Sequence, residues 1–160
     1  MSSKSIRRPV LYVEDHGVNA LLMAAMFEKR PEFQLLIATT GEAALRMAAV
    51  LPPTLLLLDL DLPDGHGSQL LHRLRGLPGC EEAPAIAVTA DVDFDITHTG
   101  FCELWAKPLH VGRVLARLDA LTAAPPPAKP WQPELPGHEP VAALRAGTVN
   151  WPRQGTFVTL

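Results

Sequence analysis

Two cysteines, Cys80 and Cys102, are all the thiol chemistry in 160 residues. They match no metal-ligand or redox spacing, which argues against a disulfide scaffold or a zinc module and predicts a chain kept in a reducing compartment. Aromatic residues are scarce at 6%, and no run of lysines or arginines occurs: the net charge is −3 and the pI about 6.0. Such a balance offers no electrostatic footprint for nucleic acid or anionic membrane. Long apolar runs are also missing. The longest, 20–27, falls far short of a bilayer span, and the opening MSSKSIRRPV lacks the apolar core of a secretion signal. The expectation is a cytoplasmic protein without a direct nucleic-acid or membrane partner.

Apolar residues nevertheless make up 48% of the chain, enough for one real core. Proline divides it: eight of the sixteen lie between positions 125 and 152, so a folded domain over 8–122 and a proline-rich tail over 123–160 are expected. Within the domain, VLYV (10–13), FQLLIA (33–38), TLLLL (54–58), PAIAVT (84–89) and FCELWA (101–106) read as strands buried on both faces. Helical patterns alternate with them. Residues 18–29 are rich in Ala, Leu and Met. Thr39-Thr40-Gly41-Glu42 offers a capping box for a helix through Val50, and Ser68 offers a cap for a helix burying Leu70, Leu71, Leu74 and Leu77. Val111, Val114, Leu115 and Leu118 recur at the spacing of a cover helix, with Arg113 and Arg117 outside. Strict alternation predicts an α/β domain with a doubly wound, five-stranded parallel sheet in the flavodoxin-like order 2-1-3-4-5. The fourth helix is expected to be short or missing, because DVDFDITHTG (91–100) has three aspartates, two threonines and no helical period. In the tail only 140–146 looks helical.

Function in such sheets gathers at the carboxyl ends of the strands, where the order reverses. Those ends carry Glu14 and Asp15, then Asp59, then Thr89, then Lys107 before Pro108. The first and third strands are neighbours in the predicted order, so three carboxylates share one crevice with a hydroxyl and an ammonium opposite. Oxygen ligands in that number suit Mg²⁺, which prefers a site shared between carboxylates and a phosphate. His16 and His66 could edge the same crevice and imitate a transition-metal site, although neither has ligand spacing to another histidine.

VLYVED (10–15), LLLLDLDLPDGHG (55–67), AVTA (87–90) and GFCELWAKPL (100–109) occur in order, each beside its own strand. Through them the chain resembles the receiver domain of two-component response regulators, chemotaxis-regulator-like and closest in style to receivers associated with hybrid sensor histidine kinases. The resemblance implies that Asp59 is the phosphoacceptor, Glu14 and Asp15 the acid pair, Thr89 the switch hydroxyl and Lys107 the bridging ammonium. It implies a Mg²⁺ site formed by Glu14, Asp15, Asp59 and the backbone carbonyl of Asp61. It also implies a Lys107-Pro108 peptide that is commonly cis. Asp61 and Asp91, each two residues beyond a site residue, would modulate the rates. The donor would be a histidine kinase or a phosphotransfer protein, and the domain would carry intrinsic phosphotransfer and autodephosphorylation chemistry rather than act as an enzyme.

Two departures from that pattern stand out. The stretch from Thr89 to Gly100 is about one helical turn short. Leu104 occupies the position where receivers carry Tyr or Phe, while Trp105 alternates to the other face of its strand. The tail is too short and proline-rich for a DNA-binding output domain, so a stand-alone receiver signalling by protein contact is expected. Its contacts, with a second copy or a downstream protein, would run through 91–109, where the lost turn leaves apolar surface, with Trp131 and Trp151 of the tail as accessories. The competing readings are a degenerate receiver that only binds partners, favoured by the irregular fourth crossover, and an aspartate-nucleophile phosphatase suggested by DLD, which the later Pro63 disfavours.

Overall fold

The computed structural model describes residues 7–122; the helix-like stretch at 140–146, Trp131 and Trp151 lie outside the described residues. Along the chain run β1 (Arg8–Val13), α1 (Gly17–Phe27), β2 (Phe33–Ala38), α2 (Gly41–Val50), β3 (Leu55–Asp59), β4 (Asp61–Leu62), β5 (Gly65–His66), α3 (Gly67–Arg75), β6 (Ala85–Thr89), β7 (Glu103–Ala106) and α4 (Val111–Thr122). Five strands form one parallel sheet in the order β2-β1-β3-β6-β7. This is the expected 2-1-3-4-5 order once the small antiparallel β4–β5 hairpin, set apart from the sheet, is skipped.

The sheet separates two apolar layers. Leu11, Val13, Leu56, Leu58, Ala85 and Ala87 face α2 and α3 with Leu70, Leu71 and Leu74. Val10, Tyr12, Leu55, Leu57, Ile86 and Val88 face α1 and α4 with Met23, Met26, Val114 and Leu118. The four leucines of β3 are at most 3% exposed, and each stabilises the fold by about 1.5–3 kcal/mol relative to leaving it in water. A bidentate pair, Arg30 to Asp119 at 2.6 and 2.8 Å, ties the turn after α1 to α4.

Two helix starts differ from the sequence reading. Thr40, not Thr39, caps α2 and accepts the Ala43 N–H at 3.1 Å; Glu42 forms no capping box and reaches Arg73 instead. His66, not Ser68, caps α3: Ser68 lies inside the first turn, and its N–H donates to His66 Nδ1. In both cases the chain turns one or two residues away from the site that composition favoured, because the backbone entry is set by the preceding strand or hairpin.

Residues 91–100 contain no helix. Their side chains supply a local alternative. Asp91 accepts the Asp93 N–H at 3.1 Å, Asp95 accepts the Thr97 N–H at 2.8 Å, and the Thr99 hydroxyl donates to the Ile96 carbonyl at 2.6 Å. His98 at φ 60° and Gly100 at φ 90° then turn the chain back toward β7. The expected bare apolar patch is thereby reduced, since Phe94, Ile96 and Phe101 fold onto the α2/α3 layer. Val92 remains 63% exposed.

Candidate functional site

Parallel register brings the predicted residues level. Val13 pairs with Leu58, Asp59 with Val88, and Thr89 with Ala106, so Glu14, Asp59, Thr89 and Lys107 stand within one residue of a common line across β1, β3, β6 and β7. On that line Lys107 Nζ lies 2.6 Å from Glu14 Oε2 and 2.7 Å from Asp59 Oδ2. The Lys107-Pro108 peptide is cis, and the Lys107 N–H donates to the Thr89 carbonyl at 2.8 Å.

Glu14 is fully buried. Its Oε2 also accepts the Tyr12 hydroxyl at 3.0 Å and the Asn19 amide at 3.2 Å, while Oε1 accepts the His16 N–H at 3.1 Å. Burial alone would raise this carboxyl; the bonds from Lys107, His16 and Tyr12 outweigh it and hold the group below its ordinary range. Burial likewise works against the charge on Lys107, but Asp59 and Glu14 together push the ammonium up. Asp59 goes the other way. It is 4% exposed, and burial, with the Glu14 charge added, raises its carboxyl despite bonds from Lys107 and from the Asp61 N–H at 3.1 Å. One ammonium between two buried carboxylates favours the more heavily bonded one, Glu14. Tyr12 stays protonated, its phenol pushed up by burial and by Glu14.

The remaining predicted residues sit around this trio. Thr89 is fully buried, and its Oγ1 accepts the Asp91 N–H at 3.0 Å. Asp15, Asp61 and Asp91 are exposed. A cavity of about 410 Å³ beside the acids is lined by Asp15, Asp61, Leu62, Pro63 and His66. Leu104 packs into the α2/α3 layer and Trp105 against the α1/α4 layer, the alternation expected. Of the two histidines, only His16 joins the acids, its Nδ1 3.0 Å from Asp15 Oδ1. His66 turns to Ser68, and its ring rests against Phe94 at 5.7 Å between centroids.

Glu14, Asp15 and His16 each offer a ligand atom within 4.8 Å of the others. Together with Asp59, the arrangement is dominated by carboxylate oxygens whose charge Lys107 only partly offsets. That donor set fits a hard divalent cation such as Mg²⁺. Tyr12 and Asn19, which hold Glu14, were not apparent from the sequence; the available signal was a lone hydroxyl in an aliphatic strand, two residues before an acid and so on the same face.

Backbone proximity is also part of the site. A Cβ on Gly67 would stand 2.3 Å from the Asp59 carbonyl oxygen, so only glycine lets α3 begin against the end of β3.

Known proteins match this chain. A family model described as the response regulator receiver domain fits residues 10–118. The transcriptional regulatory protein KdpE of Mycobacterium tuberculosis is 38% identical over 92 residues, covering 55% of this chain and 39% of that protein. The aerobic respiration control sensor protein ArcB of Escherichia coli K12 is 33% identical over 113 residues, 68% of this chain and 14% of that one. The chain thus spans well under half the length of these relatives. Among solved structures, the receiver domain of sensor histidine kinase PA1611 from Pseudomonas aeruginosa, with a magnesium ion coordinated in its active site cleft, superposes with a TM-score of 0.64 at 24% identity over 71% of this chain and 96% of that one. A CheY-like receiver from Methylobacillus flagellatus gives a TM-score of 0.65, also at 24%, over 72% and 98%. With the family model covering most of the chain and the same fold recurring in these structures, the protein belongs to the response regulator receiver family of two-component systems.

Proposed function

We propose that this chain is a phosphoacceptor whose Asp59 takes a phosphoryl group from a histidine kinase or histidine phosphotransfer protein and that it signals by protein contact. The observation that carries the reading is the Asp59 carboxylate, nearly buried at the end of the central strand and held 2.7 Å from the Lys107 ammonium. Burial raises the basicity of this carboxylate, which favours attack on phosphorus. In the transfer the donor's N–P bond breaks, an Asp59 O–P bond forms, and the imidazole leaves to take a proton from solvent. Asp15, Asp59 and the Asp61 carbonyl, with Glu14 behind them, would hold Mg²⁺, which when bound supplies positive charge to the phosphoryl oxygens. Lys107 would offer the phosphoryl group a second positive contact, and Glu14 holds its ammonium in place through the 2.6 Å pair. Thr89, whose Oγ1 accepts the Asp91 N–H, would donate its hydroxyl proton to a phosphoryl oxygen. Positioning and charge complementarity are the main sources of rate.

Helix α1 supports a protein donor. Its sequence from Gly17 to Phe27 contains no charged residue, yet Val18 is 79% and Leu21 73% exposed immediately beyond the Glu14-Asp15-His16 cluster. An apolar helix face at that place suits a partner that brings a phosphohistidine to Asp59. Output is assigned to residues 91–109, toward a downstream protein or a second copy, with 8–122 as the working unit and 123–160 as an accessory. Asp61 and Asp91 set the rates at the mouth, and Leu104 leaves coupling to Thr89 and the 91–100 segment.

The test is labelling by a small acyl phosphate with Mg²⁺. A labile adduct on the wild type that disappears in Asp59→Asn is the expected result. Equal labelling of the two proteins, or none on the wild type, overturns the assignment.

A further inference from the structure

The sequence gives Asp64 no role beyond a turn, but in the structure it joins two elements. Its Oδ1 accepts the Gly41 N–H at 2.8 Å and its Oδ2 the Glu42 N–H at 2.9 Å, the first two backbone donors of α2. Thr40 takes the third, from Ala43. The first three donors of α2 are thus shared between its own cap and a carboxylate from 22 or 23 residues further along the chain. Those donors, and the positive end of the helix, hold the Asp64 carboxyl below its ordinary range.

Asp64 lies at the tip of the β4–β5 hairpin, in the Pro63-Asp64 turn between Leu62 and Gly65, which pair with each other. The base of the hairpin is fixed twice, by the Asp61 N–H on Asp59 Oδ1 at 3.1 Å and the Gly67 N–H on the Leu60 carbonyl at 2.9 Å. With the tip anchored on α2, the strip 61–66 is restrained at both ends, and Asp61, which pairs with His66, is held between them. Asp61 is the residue whose backbone carbonyl is assigned to the cation. A carbonyl two residues past a nucleophile is a useful ligand only if its direction is fixed, because a loop peptide free to rotate costs ordering entropy on every binding event.

We propose that Asp64 is a positioning residue for the metal-binding loop: its two-pronged bond to α2 pre-orients the β4–β5 hairpin and with it the Asp61 carbonyl. The proposal rests on the Mg²⁺-dependent reading above. It separates the roles of the two residues that cap this helix end. Thr40 stabilises α2 alone; Asp64 stabilises α2 and aims the loop.

That separation supplies the test. Asp64→Ala and Thr40→Ala each remove side-chain acceptors from the same helix end, so both lower thermal stability. Only Asp64→Ala is expected to weaken Mg²⁺ binding, measured by calorimetry on the full chain with MgCl₂ alone, by on the order of 10-fold, the usual effect of removing a group that orients a ligand. Labelling by acyl phosphate should then be slow in Asp64→Ala at low Mg²⁺ and recover at saturating Mg²⁺. Asp64→Asn, which retains one acceptor oxygen, should fall between. Equal Mg²⁺ affinity in Asp64→Ala and wild type overturns the positioning role while leaving the phosphoacceptor reading intact. Equal weakening in Thr40→Ala and Asp64→Ala also overturns it, since it assigns the effect to α2 itself. A wild type that binds no Mg²⁺ overturns both proposals.

Discussion

Replacing Lys107 by methionine keeps most of the side chain's volume and removes its charge, leaving Glu14 and Asp59, 0% and 4% exposed, without a counter-ion. At 2.6 and 2.7 Å each ammonium–carboxylate contact is worth roughly 6 kcal/mol in Coulomb terms at an effective dielectric constant of about 20. Most of that gain offsets the desolvation of three charged groups. The remainder appears when one partner is removed: stranding a buried charge costs about 3–5 kcal/mol. For a domain of this size that is a fall in Tm of roughly 12 °C or more. The loss must also depend on pH. Glu14 is held below its ordinary value of 4.5 in the fold, so its stabilisation is present above that value and is lost as pH falls through the folded one. Lys107 is held above 10.5, so its share is present below that value and is lost as pH rises through the folded one. Glu14 and Lys107 therefore contribute fully between these ordinary values, whereas Asp59, held above its ordinary 3.8 by burial, favours the fold below that value and loses this share as pH rises through the folded one. In Lys107→Met the stranded carboxylates rise and take up protons, so the penalty in urea unfolding, measured in metal-free buffer, should be smaller at about pH 5 than at about pH 7.5. Adding Asp59→Asn to Lys107→Met should recover about 1 kcal/mol or more by removing one of the two like charges. A loss below about 1 kcal/mol, unchanged between the two pH values, would refute the view that the ammonium neutralises a buried acid pair.

Two further outcomes follow from the same geometry. Gly67→Ala places a Cβ 2.3 Å from the Asp59 carbonyl oxygen and 3.0 Å from Leu60 Cα, so the domain should lose about 3 kcal/mol together with its labelling; an unchanged Tm with normal labelling would contradict the close approach. Asp91 is exposed beside Thr89, so Asp91→Asn should speed labelling by a small anionic phosphodonor more at low salt than at high salt, and rates equal at all ionic strengths would remove the charge from the account.

What the sequence revealed and what it hid divide along physical lines. The strand at Leu55–Asp59 was legible because it is buried on both sides, and a continuous apolar run ending in an acid has few other uses. The grouping of Glu14, Asp59, Thr89 and Lys107 followed from strand order, since parallel register fixes which ends are level. Helix starts were less legible: Thr39, Thr40, His66 and Ser68 all carry an acceptor, and the backbone's exit from the preceding element chose among them. The hairpin at Asp61–Leu62 and Gly65–His66 was hidden inside what reads as a simple turn, two residues per strand being too short for any period. The Asp64 anchor was invisible for a different reason. Its partners are backbone donors of residues far away in the chain, and a side-chain pattern carries no record of them.

The stretch 91–100 keeps its shape through bonds that begin and end within it, Asp91 to Asp93, Asp95 to Thr97 and Thr99 to Ile96. Phe94 and Ile96 root it in the core, and the Asp91 N–H on Thr89 Oγ1 at 3.0 Å ties its start to the site. A surface built that way is modular: exposed positions such as Val92 and Asp93 can be exchanged by mutation without disturbing the sheet, because no ladder bond or helical turn runs through them. With output assigned to 91–109 as proposed, partner preference could drift over evolutionary time, or be rewritten by design, while Asp59 stays untouched. The local turns leave the sheet out of this surface, so the crossover is a natural place to graft a new binding epitope without altering the proposed phosphoacceptor site.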